Sequence, residues 1–230
     1  MNDTGPRLAM IETSQGRGWV ALGSSAGVLA TRPLSEARRH ARDLAPLLAE
    51  LLIERGWKAR ELHGVIVSRG PGSYTGLRVG VMSAKTLAYA SGASLLAIDT
   101  FAVIAAQTPA EELSASVSLD VIADAQQEKI YAQRFRQGPA GWAGADLRIV
   151  PFAAWQGELP VDGLVSGPAL ELFAARLPQA RLIAPSYWLP RPEALLLLGL
   201  ARFRSGERDD PFAVEPLYLR PSAAEEKFTK

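Results

Sequence analysis

The chain has 230 residues, of which 48% are hydrophobic and 21% charged, as is usual for a soluble globular protein of one domain or two small lobes. It contains no cysteine, which excludes a disulfide framework, a thiolate nucleophile and any cysteine-ligated zinc or iron–sulfur site. The formal net charge of +1 gives no sign of direct nucleic-acid binding, because affinity for phosphates grows with the number that basic side chains neutralise.

Neither a leader nor a membrane span is predicted. Residues 1–14 lack the basic and then apolar pattern of a secretory signal. The longest apolar runs, such as residues 194–201, are shorter than the roughly 20 residues that cross a bilayer as a helix. We therefore expect a cytoplasmic protein with no membrane partner.

The first half of the chain predicts a three-strand meander followed by alternating helices and strands. Short apolar runs separated by glycine and serine predict the strands, and longer amphipathic stretches predict the helices. Pro46 lies in the first helix, where it is either near the helix start, with Asp43 as the cap, or a kink in a longer helix. The predicted strands are 7–11, 18–22, 27–31, 63–68 and 94–98, and the predicted helices are 35–55, 77–90 and 100–107.

The second half repeats this order less clearly. The duplication implies an α/β protein with two related lobes, each a mixed sheet flanked by helices. We place the lobes at 1–108 and 109–220, with 221–230 as a frayed, charged tail and 138–144 as a loop. The predicted strands are 117–123, 129–135, 146–150, 163–166 and 181–183, and the helical stretches are 152–156, 168–176 and 191–205.

Residues 68–80, with the sequence SRGPGSYTGLRVG, follow a predicted buried strand and open a helix. The glycines at 70, 72 and 76 permit backbone angles that side chains disfavour, and free amides at a helix N-terminus can hold an anion. Thr75 is a candidate cap for the helix. The alternative is a tight strand-to-helix turn in which small residues pack closely. No Gly-Lys-Ser/Thr follows, so the segment is not a Walker loop.

Taken as a whole string, residues 68–80 resemble the signature of the bacterial TsaB (YeaZ) family. The resemblance extends over nearly the full chain and is strongest in the first half. It implies the actin-like ATPase (ASKHA, ribonuclease H-like) fold of two related lobes. Further matching segments are LAMIETS at 8–14, LAPLL at 44–48 with the preceding Arg39 and His40, DAQQEKIYA at 124–132 and PLYLR at 216–220.

The resemblance also implies a function. The chain would be an accessory subunit for transfer of a threonylcarbamoyl group to the adenosine next to the tRNA anticodon. Its partners would be the catalytic paralogue TsaD and the small ATPase TsaE. In the absence of these partners the chain would form a homodimer, and it would contact tRNA only through the complex. No cofactor and no metal are implied for this chain. The family motif or cleft residues are then Glu12, Thr13, Ser14, Gly70, Pro71, Gly72, Ser73, Tyr74, Thr75, Gly76, Arg78 and Gly80.

The residues argue against catalysis by this chain. The catalytic paralogue holds a metal with two histidines on one helix, whereas the corresponding helix here has His40 with Glu36 and Leu44 at the spacing of four. Glu12 has no visible partner carboxylate, and Ser73 has no recognisable histidine base.

Two alternatives to an accessory subunit remain open. One is a stand-alone ATPase or kinase of the same fold, with nucleotide near Gly70 or Gly167. Pro168 weakens it, because proline lacks the amide that a phosphate loop uses. The other is a peptidase that depends on Ser73.

Two helices carry more apolar residues than one buried face requires. In the first helix, Leu44, Leu48 and Leu51 suit an inner stripe, while Leu47 and Ile53 fall on other faces. A helix buried between the sheet and a neighbouring helix is the alternative, and the family resemblance favours an interface with TsaD or a second copy. The predicted interface residues are His40, Leu44, Leu47, Leu48, Leu51, Val79, Met82, Ser83 and Tyr89.

Overall fold

The computed structural model describes residues 5–35, 40–112, 118–138 and 141–219. Its contacts divide the chain into two compact units. The first unit comprises the residues up to Thr100 together with Pro192–Tyr218, and the second comprises Phe101–Arg191 with Leu219. Among the described residues, no helix combines the length and hydropathy needed to cross a bilayer.

The secondary structure alternates between strands and helices after an initial run of strands. The strands are β1 (Leu8–Glu12), β2 (Trp19–Ser24), β3 (Gly27–Pro33), β4 (Gly64–Ser68), β5 (Ser94–Ile98), β6 (Ser118–Asp124), β7 (Lys129–Gly138), β8 (Gly141–Gly144), β9 (Arg148–Pro151), β10 (Leu164–Ser166) and β11 (Arg181–Leu182). The α-helices are α1 (His40–Glu54), α2 (Tyr74–Ser91), α3 (Thr100–Ala106), α4 (Phe152–Gly157), α5 (Leu170–Phe173) and α6 (Pro192–Arg204).

The first unit is built on a mixed sheet with the strand order β3-β2-β1-β4-β5. β1 is antiparallel to β2 and parallel to β4, and β4 is parallel to β5. Every residue of the central strands β1 and β4 is buried, as expected for parallel strands that are covered on both faces. α1 and α2 supply apolar side chains to the core on this sheet.

The second unit repeats this topology. Its sheet has the order β11-β10-β6-β7-β8, and β9 also pairs with β7. β6 is antiparallel to β7 and parallel to β10, which is parallel to β11. Each sheet thus contains an antiparallel meander of three strands. The first strand of the meander also pairs in parallel with a fourth strand, which pairs in parallel with a fifth. The repeat confirms the predicted α/β fold of two related mixed sheets flanked by helices, the actin-like arrangement.

Local differences from the sequence prediction have physical causes. The segment predicted as a loop contains the strand β8. The prediction missed it because this short and largely exposed edge strand lacks the apolar alternation that indicates a strand. Pro46 lies inside α1, not near its start. Residues 36–39 of the predicted first helix lie outside the described residues.

α6 belongs to the first unit, although the sequence prediction placed it in a second lobe at 109–220. It packs on β3, β4 and β5 of the first sheet. Its buried residues include Leu195, Leu196 and Gly199. The domain boundaries at 1–108 and 109–220 remain a prediction. What the structure adds is that α6 packs on the first sheet.

A methyl group at Gly199 tests the packing of α6 on β4. A Cβ there would lie closer than 3.0 Å to three side-chain atoms of Ile66, which is fully buried. We expect Gly199→Ala to lower the free energy of unfolding by about 1–3 kcal/mol, measured by urea denaturation. Gly157→Ala is the matched control, because Gly157 ends α4 with nothing within 4 Å of the added Cβ. Equal effects of the two substitutions would contradict this packing.

Candidate functional site

Residues 68–80, which we call the glycine motif, meet the segment after β1 at one edge of the first sheet. β1 and β4 are parallel neighbours, so the residues that follow each strand lie side by side. The Ser73 amide donates a hydrogen bond to the Ser14 carbonyl oxygen at 2.7 Å. The Thr13 hydroxyl donates to the Gly76 carbonyl oxygen, also at 2.7 Å. Thr13 and Ser14 are fully buried by this contact.

Three glycines of the motif make room for this contact. A Cβ at Gly72, Gly76 or Gly80 would lie closer than 3.0 Å to an oxygen atom of Ser14 or Thr13. At Gly72 and Gly76 the obstructing atom is a backbone carbonyl oxygen, which cannot rotate away. These positions support the interpretation of the motif as a close-packing turn.

The start of the motif has a different requirement. Gly70 has a φ of +120°, in the region that glycine adopts at little cost. Its amide donates to the Thr100 hydroxyl at 3.1 Å, and its carbonyl accepts from the Thr100 amide at 2.7 Å. Pro71 follows through a cis peptide bond and is buried. The beginning of the motif is thereby fixed to the first residue of α3.

Ser73, not Thr75, caps α2. The Gly76 amide donates to the Ser73 hydroxyl at 3.3 Å, and the helix begins at Tyr74. Thr75 is exposed in the first turn, so the predicted cap was wrong by two positions. The hydrogen bond from the Ser73 amide to Ser14 fixes Ser73 directly before the first helical residue, which is the position of the cap.

Glu12 ends β1 as a buried carboxyl group. Its Oε1 accepts hydrogen bonds from the Ser14 amide at 2.6 Å and from the Ser14 hydroxyl at 2.5 Å. Burial raises the pKa of Glu12, and the hydrogen bonds from Ser14 oppose the rise. Among the residues described, neither Glu12 Oε2 nor the Ser68 hydroxyl has a hydrogen-bond partner of good geometry. A neutral carboxyl or an amide therefore suits this position better than a carboxylate does.

An ion pair that the sequence analysis missed lies at the same edge. Arg69 Nε is 2.6 Å from Asp99 Oδ1, and the two residues directly follow β4 and β5. The sequence offered one signal for this pair, because residues that directly follow adjacent parallel strands lie at the same edge of the sheet. Within the described ranges, no group of three or more histidine or acidic side chains is arranged to hold a metal ion.

Two motif side chains make contacts with the C-terminal segment. The rings of Tyr74 and Tyr218 stack with their centroids 4.6 Å apart. Arg78 lies over the Tyr74 ring at 4.4 Å, and its Nε donates to the Tyr218 hydroxyl at 3.1 Å. Burial raises the pKa of Tyr218, against the opposing effect of Arg78.

The predicted interface residues differ in their burial. Leu44, Leu48 and Leu51 are buried in the core of the first unit, so their assignment to a partner interface was wrong. They form the inner stripe of α1, which the sheet covers. Leu47 and Val79 are partly buried against the same core, and Ser83 is half-buried. The side chain of His40 lies outside the described residues.

Two of the predicted interface residues are exposed on the outer side of α2. Met82 is 56% exposed and Tyr89 is 72% exposed. Phe212, which the sequence analysis missed, is 79% exposed and contacts Tyr89 edge-on with 5.8 Å between centroids. A lone aromatic residue in an irregular segment has no periodic signal that would have identified it. We call Met82, Tyr89 and Phe212 the docking face.

Comparison with known proteins points to tRNA modification. The family model described as TsaD, tRNA N6-adenosine threonylcarbamoyltransferase, matches residues 26–148, just over half of the chain. The chain is 25% identical to the tRNA threonylcarbamoyladenosine biosynthesis protein TsaB of Escherichia coli, over 96% of this chain and 97% of that protein. It is also 31% identical to an uncharacterised protein of Mycobacterium tuberculosis, over 76% of this chain and 81% of the relative.

Solved structures agree with these sequence matches. A Pseudomonas aeruginosa protein described as similar to the peptidase YEAZ superposes with a TM-score of 0.76 at 25% identity, covering 94% of this chain and 100% of that one. YeaZ from Pseudomonas aeruginosa superposes with the same TM-score at 24% identity, covering 93% of this chain and 100% of its own, which shows a shared fold.

An alanine at Gly72 tests the contact between the motif and the segment after β1. The added Cβ collides with the Ser14 backbone, so we expect Gly72→Ala to lower the free energy of unfolding by at least about 2 kcal/mol. Urea denaturation measures the change. Gly16→Ala is the control, because nothing lies within 4 Å of its added Cβ, and a change of less than about 0.5 kcal/mol is expected. A neutral Gly72→Ala would refute the contact.

The pH dependence of stability tests the buried carboxyl of Glu12. Its folded pKa is raised above the ordinary value of 4.5, so the folded state holds the proton more tightly than the unfolded state. The proton bound to Glu12 therefore contributes to the free energy of unfolding. This contribution is fully present below pH 4.5 and is lost as the pH rises through the folded pKa. Glu12→Gln keeps the oxygen acceptor for Ser14 and does not titrate.

We therefore expect the stability of Glu12→Gln, relative to the unmodified chain, to increase as the pH rises above 4.5. Urea denaturation at a series of pH values measures this difference, in which the titration of other groups cancels. A difference that is independent of pH between about 4 and 8 would show that the folded pKa is not raised.

Proposed function

Since the chain belongs to the bacterial TsaB (YeaZ) family, whose members include a tRNA threonylcarbamoyladenosine biosynthesis protein, we propose that it is a non-catalytic accessory subunit of that pathway. In this role it binds the catalytic paralogue TsaD and, together with the ATPase TsaE, supports threonylcarbamoyl transfer to the adenosine beside the tRNA anticodon. The tRNA is held by the complex. The chain works in the cytoplasm, without a metal or cofactor of its own.

The docking face carries this proposal. The opposite side of α2 contributes buried residues, among them Leu77 and Val81, to the core of its own unit, while Met82 and Tyr89 point outward. Fully burying one such side chain contributes about 1.5–3 kcal/mol. Aromatic anchors are also enriched among the residues that dominate binding energy. An apolar helix face with Phe212 beside it therefore fits a protein partner.

The glycine motif supports the same role, because it fixes the helix that carries the docking face. α2 starts where the Ser73 amide is bound to Ser14, and Gly76 and Gly80 seat its first turns against Thr13. A helix fixed in this way loses little conformational freedom when a partner binds, which favours affinity. The motif thus acts through the position of α2.

Three side chains that acid–base or nucleophilic chemistry could use, those of Ser73, Glu12 and His63, make structural hydrogen bonds. The Ser73 hydroxyl caps α2, and Glu12 Oε1 is held by Ser14. The Nδ1 atom of His63 accepts a hydrogen bond from the Arg7 amide at 3.0 Å. These contacts support the accessory role over the peptidase alternative, in which Ser73 would need a histidine base.

A charge on the docking face tests the proposed partner. We expect Met82→Glu and Tyr89→Glu to abolish co-purification with TsaD from the same organism, because a carboxylate would be desolvated in the interface. They should also abolish the gain in tRNA modification when the chain is added to TsaD and TsaE. Leu47→Glu and Val79→Glu are less suitable, since both side chains pack partly against the core and the fold would be damaged.

Leu172→Glu is the matched control, because Leu172 is 65% exposed on α5 of the second unit. It should bind TsaD and support modification as the unmodified chain does. Full binding by both docking-face variants would place the interface elsewhere. Modification by the unmodified chain in the absence of TsaD would contradict the accessory role.

A further inference from the structure

The segment that follows α6 runs along α2 in the opposite direction. Asp209 fixes the beginning of this segment at the edge of β5, where its Oδ2 accepts from the Ala97 amide at 2.7 Å and pairs with Arg202. Lys85 then donates to the Val214 carbonyl at 2.9 Å, and Val214 is buried in the core. We call residues 214–218 the C-terminal strap.

The strap ends on the glycine motif. The Leu217 amide donates to the Arg69 carbonyl at 2.7 Å, directly before Gly70. A Cβ at Gly70 would lie 3.1 Å from the Leu217 carbonyl oxygen and 3.3 Å from its Cβ, so the strap passes within contact distance of the motif backbone. Tyr218 then covers the first turn of α2 by stacking on Tyr74.

The first turn of a helix is the part that most needs outside contacts. Its first four amides have no partner within the helix, and helix ends fray when nothing holds them. Tyr74 and Arg78 are four residues apart and so lie on one face of α2. Tyr218 contacts both, through its ring at Tyr74 and its hydroxyl at Arg78, and it remains 38% exposed.

We propose that the C-terminal strap orders the glycine motif and the first turn of α2 in the conformation that the partner binds, with Tyr218 as the positioning residue. This inference rests on the proposed docking of TsaD to α2. Tyr218 acts through Tyr74 and Arg78. Release of Tyr218 leaves Val214 in the core and the fold of the unit in place, and it weakens docking.

Amide hydrogen exchange on the isolated chain tests the ordering. We expect Tyr218→Ala to accelerate exchange at Ser73, Gly76 and Leu77 at least about tenfold, with the strands of the second unit unchanged. Tyr218→Phe keeps the stacked ring and should stay within about threefold of the unmodified chain. Phe212→Ala removes an aromatic ring at the other end of α2 and should leave these three amides unchanged.

Titration calorimetry with TsaD tests the link to docking. We expect Tyr218→Ala to weaken binding about tenfold and Tyr218→Phe to restore it. If Tyr218→Ala does not fold, Tyr218→Leu removes the aromatic stacking on Tyr74, keeps an apolar side chain and is tested in the same way.

Three results would overturn the positioning role. Unchanged exchange in Tyr218→Ala would show that the strap does not order the motif. Weaker binding without faster exchange would make Tyr218 a direct partner contact, and faster exchange with undiminished binding would disconnect the strap from docking. Failure of the unmodified chain to bind TsaD would instead refute the proposed function, while the exchange experiment still decides whether the strap orders the motif.

Discussion

The close approach of the residues after β1 to the glycine motif is the constraint on which the first unit depends. Two backbone segments touch where Ser14 and Thr13 meet Gly72 and Gly76, at separations that leave no room for a Cβ atom. This contact determines where α2 starts and how closely it lies on the sheet. One side of the helix is then buried, and the other, with Met82 and Tyr89, faces outward.

Several polar groups around this contact are held by hydrogen bonds or ion pairs. Glu12 is buried at the end of β1 and receives two hydrogen bonds from Ser14, while Arg69 pairs with Asp99 across the neighbouring strand ends. A general base must reach the proton that it removes, whereas Glu12 is fully buried and its Oε1 is held by Ser14. The geometry is therefore better suited to positioning α2 than to chemistry, which is why the proposed role is accessory.

Much of this could be predicted from local sequence patterns. The order of strands and helices and the close-packing turn follow from apolar runs, glycine positions and helix periodicity. The cap was misplaced, because Ser73 and Thr75 both carry hydroxyls and only the distant Ser14 distinguishes them. Helix periodicity correctly indicated the inner stripe of Leu44, Leu48 and Leu51, and the error was to assign these residues to a partner interface as well, since the sheet covers them.

The contacts that the chain makes after the second unit were beyond prediction. α6 returns to the first sheet, Phe212 lies beside Tyr89, and Tyr218 stacks on Tyr74. Each depends on the path of the chain after the second unit, and no local propensity encodes that path. The tail motif at 216–220 was recognisable as a string, but its contact with the glycine motif required the fold.

Calorimetric titration of the purified chain, with TsaD and separately with ATP and magnesium, tests the central claim most directly. We expect saturable binding of TsaD at one site per chain, with a dissociation constant below about 10 μM, and no saturable heat with ATP up to about 1 mM. Micromolar binding of ATP with turnover, in a chain that does not bind TsaD, would contradict the account and favour a stand-alone ATPase or kinase.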